Sequence, residues 1–102
     1  MRRLLAALLV AMMAAPAYAD KIARAGNAEI RLFPGACVHG GTLAQLKPEH
    51  RDKFHKMQGS VNGRVVYGCW VDIEEDGVYW MLFEDGTDIA LRYESFKEVP
   101  GT

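Results

Sequence analysis

The sequence predicts a mainly β, or α+β, domain: a curved antiparallel four-strand meander or partial barrel with one extra N-terminal strand and one short helix. Three observations predict it. From Phe54 onward the apolar residues recur with a period of two, the spacing of a strand with one face buried. Three glycine turns, at Asn62-Gly63, Asp76-Gly77 and Asp85-Gly86, divide that stretch into segments of strand length. Helical signals are confined to residues 42–53, so helices cannot cover the sheet and it must curl to bury its own apolar face.

Taken in order, residues 1–19 are expected to be a secretory signal peptide. Arg2 and Arg3 form a basic start, and Leu4 to Ala15 is an uninterrupted apolar run. Pro16 then breaks it, and Ala17-Tyr18-Ala19 offers small residues where a signal peptidase reads. That run is shorter than the ~20 apolar residues a membrane span needs. Cleavage is expected after Ala19, with no span left in the mature chain. Residues 20–102 then form a single disulfide-stabilised β-rich domain, placed in the periplasm or secreted. Its 83 residues are too few for several domains, a Rossmann unit or a TIM barrel.

Residues 20–27 (DKIARAGN) read as a loose polar lead-in. In Ala28 to Phe33, Ile30 and Leu32 alternate with Glu29 and Arg31, as in a short half-buried strand that Pro34-Gly35 ends. Thr42 and Gln45 fit a capping box opening a small helix, and Pro48 restarts it at a first helical position. Leu43, Leu46 and Phe54 should turn inward. In the first meander strand His55, Met57, Gly59 and Val61 share a face. After Asn62-Gly63, the second strand puts Val65, Tyr67, Cys69, Val71 and Ile73 on one face. Val78 to Phe83 is almost wholly apolar, as expected of a strand covered on both sides. Ile89, Leu91 and Tyr93 line the last strand. Phe96 should cap an open end of the core, and Pro100-Gly101-Thr102 should fray.

Cys37 and Cys69 are the only cysteines, and export would place them where disulfides persist, so they are expected to pair. The domain carries ten bases and thirteen acids, a net of −3. Residues 20–71 have eight bases and four acids, whereas residues 72–102 have two bases and nine acids. No basic stripe exists and the net sign is wrong for nucleic acid, which is not an expected partner.

Catalytic chemistry has little to stand on. Ser60 and Ser95, the only serines, lie outside any G-x-S-x-G setting, and no phosphate-binding glycine loop occurs. The carboxylates sit in turns. No enzyme activity and no cofactor are expected. His39, His50 and His55 are weak metal candidates without HxH or HxxxH spacing. Asp72 to Gly77 resembles the start of a calcium loop, but its third position is Glu74 and its twelfth is Phe83 rather than a bidentate glutamate. Should the two acidic turns share one edge, Asp72, Glu74, Glu75, Asp76, Glu84, Asp85 and Asp88 would form an acidic rim for a basic partner. Trp70, Tyr79 and Trp80 read as either core or an exposed aromatic patch. If Cys69 faces the core, Trp70 faces outward or into a small layer under the helix. The candidate binding surface is therefore Trp70, Tyr79, Trp80, Asp76, Asp85 and Asp88.

Cys37, the strand segment Gly68-Cys69-Trp70, the Asp85-Gly86 turn and the late Phe96 together resemble a group of small exported proteins encoded in bacterial phages and prophages. The resemblance spans nearly all of residues 20–102. It implies export and a disulfide-held domain and carries no mechanism. The segment GVYWMLFEDGTDIALRY is more faintly similar to periplasmic lysozyme inhibitors; no inhibitory residues are carried over from it. The function expected from all this is an exported, non-enzymatic binding or accessory protein of the bacterial envelope acting on another envelope or secreted protein. The alternatives are a lysozyme-type inhibitor and a periplasmic metal-handling protein.

Overall fold

A computed structural model describes residues 19–100. The expected leader, save Ala19, and the last two residues of the tail lie outside the described residues. Among the described residues no helix is long and apolar enough to cross a membrane. The described residues form seven strands: β1 (Asp20–Ala25), β2 (Ala28–Ala36), β3 (His55–Val61), β4 (Arg64–Ile73), β5 (Val78–Phe83), β6 (Asp88–Arg92) and β7 (Lys97–Val99). All neighbours are antiparallel, in the order β6-β5-β4-β3-β2-β1-β7. The class is as expected, but seven strands replace the four-strand meander plus one.

Two strands were hidden in segments with weak patterns. The stretch read as a lead-in is β1, joined to β2 by a turn with Gly26 at φ 60°. Its Asp20, Ile22 and Ala23 are buried. Asp20 is only 2% exposed and accepts from Arg31, whose Nη2 also reaches the carbonyl of Pro100. Near the other end, β7 pairs with β1 through Ile22↔Lys97, Lys21↔Glu98 and Asp20↔Val99. Three-residue strands carry too little periodicity to be read from sequence; pairing partners create them.

The connection before β7 forces the sheet to curl. β6 and β7 are its two edges, yet only Tyr93 to Phe96 join them. Five Cα steps reach at most ~17 Å. Six strand spacings in a flat sheet would need ~29 Å. The sheet therefore rolls into a half-barrel, and Leu91 of β6 shares a small cavity with Ala23 and Ile30 from β1 and β2. The concave face holds the main core of Leu32, Met57, Trp70, Tyr79 and Met81. Phe96 closes its end, edge-on to Tyr79 at 5.3 Å between ring centroids.

The convex face carries a second, smaller core of Cys37, Phe54 and Cys69, with Leu43, Leu46, Val71 and Trp80 against it. It lies beneath α1 (Gly40–Leu43) and a 3-10 turn at Pro48–Lys53. Leu43, Leu46 and Phe54 face inward as expected, and Pro48 takes the predicted first position. The cap differs: His39, not Thr42, caps α1 and accepts from the Thr42 amide. Thr42 is instead fully buried, its hydroxyl 3.0 Å from His39 Nδ1. Nor does Pro34-Gly35 end β2, which continues to Ala36 through a register shift against β3.

The segment Gly68-Cys69-Trp70 joins the two cores. Successive strand residues point to opposite faces, so Cys69 bonds outward to Cys37 while Trp70 enters the concave core. Gly68 pairs with Phe83 of β5. A Cβ there would run into the Leu82 carbonyl and stand 3.1 Å from the Phe83 Cα, both backbone atoms that cannot swing aside. Gly68→Ala is therefore expected to destabilise the domain by about 1–3 kcal/mol, the usual range for overpacking. Urea unfolding of the variant checks this; an unchanged midpoint would show that β4 and β5 are more loosely joined than they look.

Candidate functional site

The expected aromatic surface does not exist as drawn. Trp70 and Tyr79 are 7% and 9% exposed and lie edge to face in the concave core. The physical reason is that both faces of β4 and β5 are covered: the curl covers one and the helical layer the other. Cys69 and Trp70 can then point in opposite directions and both be buried. Only Trp80 of the three reaches the surface; it is half-buried on the convex side.

The acidic rim is also divided. The turn at Glu74–Asp76 precedes β5 and the turn at Glu84–Gly86 follows it, so Asp76 and Asp85 lie at opposite ends of that strand. Six extended residues separate such ends by ~20 Å. Asp88, at the start of β6, accepts from the Trp80 indole N–H at 2.6 Å. Of the six candidate residues, this is the pair joined by a hydrogen bond. Asp85 is engaged locally: it accepts from the Thr87 hydroxyl at 2.7 Å and the Thr87 amide at 2.9 Å. Those two bonds, the hydroxyl's first, hold its carboxyl below the usual range.

Two of the three histidines serve local structure. His39 caps α1, stacks on Tyr67 and places Nε2 3.4 Å from Glu84. His55 has Nδ1 3.0 Å from the Pro34 carbonyl and its ring against Trp70. His50 sits in the 3-10 turn. Among the described residues no three His, Cys, Asp or Glu side chains converge as a metal site would require.

At one end of the concave core, Tyr93 donates to Asp72. That bond, with burial and the nearby carboxylate, pushes the Tyr93 hydroxyl up to about 12. Burial first, then the charges of Asp72 and Glu98, raises Tyr79. A raised phenol binds its proton more tightly in the folded state. Its contribution is intact below pH ~10, where the unfolded phenol is also protonated, and is lost as pH rises from there towards 12. Ultraviolet titration should show two tyrosines ionising late, with stability falling over that alkaline window. Tyr93→Phe should remove one of the late steps.

What remains open is the convex face. Two shallow grooves flank the cystine. One, of about 340 Å³, lies between Phe33, Val38, His39, Lys56 and Tyr67. Beside it Val38, Val65 and Tyr67 stand 78%, 48% and 45% exposed. The other, of about 450 Å³, has walls of Leu46, Phe54, Val71, Ile73 and Trp80. Lys47, His50 and Lys53 form its rim, with Gln45 beside them. Comparison with known protein families, curated proteins and solved structures finds no match. Neither groove was legible as a site in the sequence. The shared face Val65-Tyr67-Cys69-Val71-Ile73 is the outer face of the sheet rather than the main core. A usable signal was the i, i+3 spacing of Lys47, His50 and Lys53 around Pro48.

Proposed function

We propose that this chain is an exported, non-enzymatic binding or accessory module of the bacterial envelope, which contacts another envelope or secreted protein through the convex face of its meander. The exposure of Val38, Val65 and Tyr67 on that face carries the reading, because these apolar side chains stand in solvent where packing within the chain does not need them. A disulfide between Cys37 and Cys69 is compatible with an oxidising compartment, and the secretory pattern of residues 1–19 supports periplasmic or secreted placement. The lysozyme-inhibitor alternative depended on a continuous acidic rim, which β5 divides. The metal-handling alternative depended on three histidines, of which His39 and His55 are engaged in separate local contacts, and no three ligating side chains converge among the described residues.

The test is a comparative pull-down from envelope extract, with wild-type protein beside a Val65→Asp/Tyr67→Asp variant that keeps its disulfide and its near-ultraviolet circular dichroism. The expected result is a protein retained by the wild type and lost from the variant. Equal retention by both, or no retention by either, would remove the reading.

A further inference from the structure

The groove beneath the 3-10 turn has a charge arrangement that points to a ligand. In a 3-10 helix side chains three apart eclipse one another, which aligns His50 with Lys53; Lys47, the extended N-cap residue before Pro48, reaches the same groove. Residues 47–53, KPEHRDK, contain both signs of charge, and a three-residue repeat sorts them. His50 and Lys53 fall in one row, and Lys47 joins them along the groove. Glu49 and Asp52 fall in the next row and do not line it. Arg51 is turned away, its Nε donating to the Leu46 carbonyl at 3.1 Å. The four ion pairs among the described residues include neither lysine. Two exposed cations thus stand beside an apolar trough, and neither forms an ion pair with a carboxylate of the described residues.

The trough is built rather than incidental. Phe54 meets Trp80 edge-on with centroids 5.8 Å apart, and the Trp80 indole N–H is held by Asp88, which fixes the ring. Its volume lies within the ~300–1,000 Å³ of small-molecule sites, and its walls are almost wholly apolar with polar groups confined to one rim.

We propose that this groove binds a single-chain amphipathic carboxylate, its chain along Val71, Ile73 and Trp80 and its carboxylate against Lys47 and Lys53. Charge complementarity selects an anion over a cation or a neutral amphiphile. The size of the groove selects one short chain over a two-chain lipid. The site is distinct from the Val38, Val65 and Tyr67 patch, so it stands or falls independently of the protein-binding reading.

The test is titration of the disulfide-bonded protein with sodium decanoate below its micelle concentration, followed by calorimetry and tryptophan fluorescence. Decanol and decyltrimethylammonium serve as neutral and cationic controls. Decanoate is expected to bind saturably, to change the emission of Trp80, and to bind more tightly than either control. Lys47→Glu with Lys53→Glu should weaken decanoate by about fivefold or more and leave decanol unchanged, and added salt should weaken decanoate in the wild type. Both lysines are exposed, so the variant should fold; an intact disulfide checks that. The proposal is overturned by equal binding of all three amphiphiles, by decanoate binding that the lysine substitutions do not move, or by the absence of saturable binding. It is also overturned if sedimentation shows a dimer that the Lys47→Glu/Lys53→Glu variant disrupts, which would make a second copy the occupant.

Discussion

Replacing Cys37 and Cys69 with alanine is expected to cost about 3–4 kcal/mol, on the chain-entropy account of a cross-link. The bond closes a loop across 32 positions, joining the irregular segment before α1 to the middle of β4. A domain of this size has a total stability of ~5–15 kcal/mol, so the loss is a large share of it. Thermal unfolding should fall by roughly 15–25 °C. The smaller core should suffer most, since its buried members are Cys37, Phe54 and Cys69 and two of these are the cystine itself. Intact mass should rise by two hydrogens on reduction. Because Cys69 is fully buried and Cys37 nearly so, reduction of the folded protein should be slow and should accelerate sharply in denaturant. Free thiols in the protein purified without reductant, or an alanine double variant with wild-type stability, would contradict this account.

Trp70→Ala is expected to destabilise the domain by about 3–5 kcal/mol, the range for emptying an aromatic site in a core. The indole is packed from several sides: Tyr79 meets it at 5.3 Å, His55 at 4.7 Å, and the Lys21 ammonium lies 6.0 Å from its centroid. Its N–H donates to the Phe33 carbonyl at 3.0 Å, close to the register shift in β2. Truncation would therefore open a cavity and leave that carbonyl without its partner. Trp70→Phe should keep most of the packing and lose the hydrogen bond, at a cost of about 1 kcal/mol. Trp80→Ala makes the contrast. Trp80 is half-buried, so its loss should disturb stability less and amphiphile binding more. If Trp70→Ala unfolded like the wild type, Trp70 would have to be a surface residue, as the sequence alone allowed.

Hairpins with strong local chemistry were legible. Asn62-Gly63 adopts positive φ at both positions, 52° and 83°, as the flanking strands require of a two-residue turn. The alternation of His55, Met57 and Gly59 and the unbroken apolar run of β5 both survive in the fold. The inward turn of Leu43, Leu46 and Phe54 was legible too, because apolar residues beside a short helix have few other places to go. The cap of α1 was not: Thr42 and His39 both have a polar atom in reach, and only the packing that buries Thr42 decides between them.

By itself the sequence determined the local features of this protein. These are the glycine turns, the period-two strands and the sole possible cysteine pairing. Each depends on residues near in the chain, or on a count. The tertiary structure alone decided what β1 and β7 become, which face of β4 is the main core, where the acidic turns lie and which groove the lysines border. Those depend on a short connection that brings the two edges of a seven-strand sheet together. Curling gives the sheet its main, concave core, and that core takes Trp70 and Tyr79 out of solvent. A period of two says that neighbouring residues face opposite ways, but when both faces are covered it does not say which way is out.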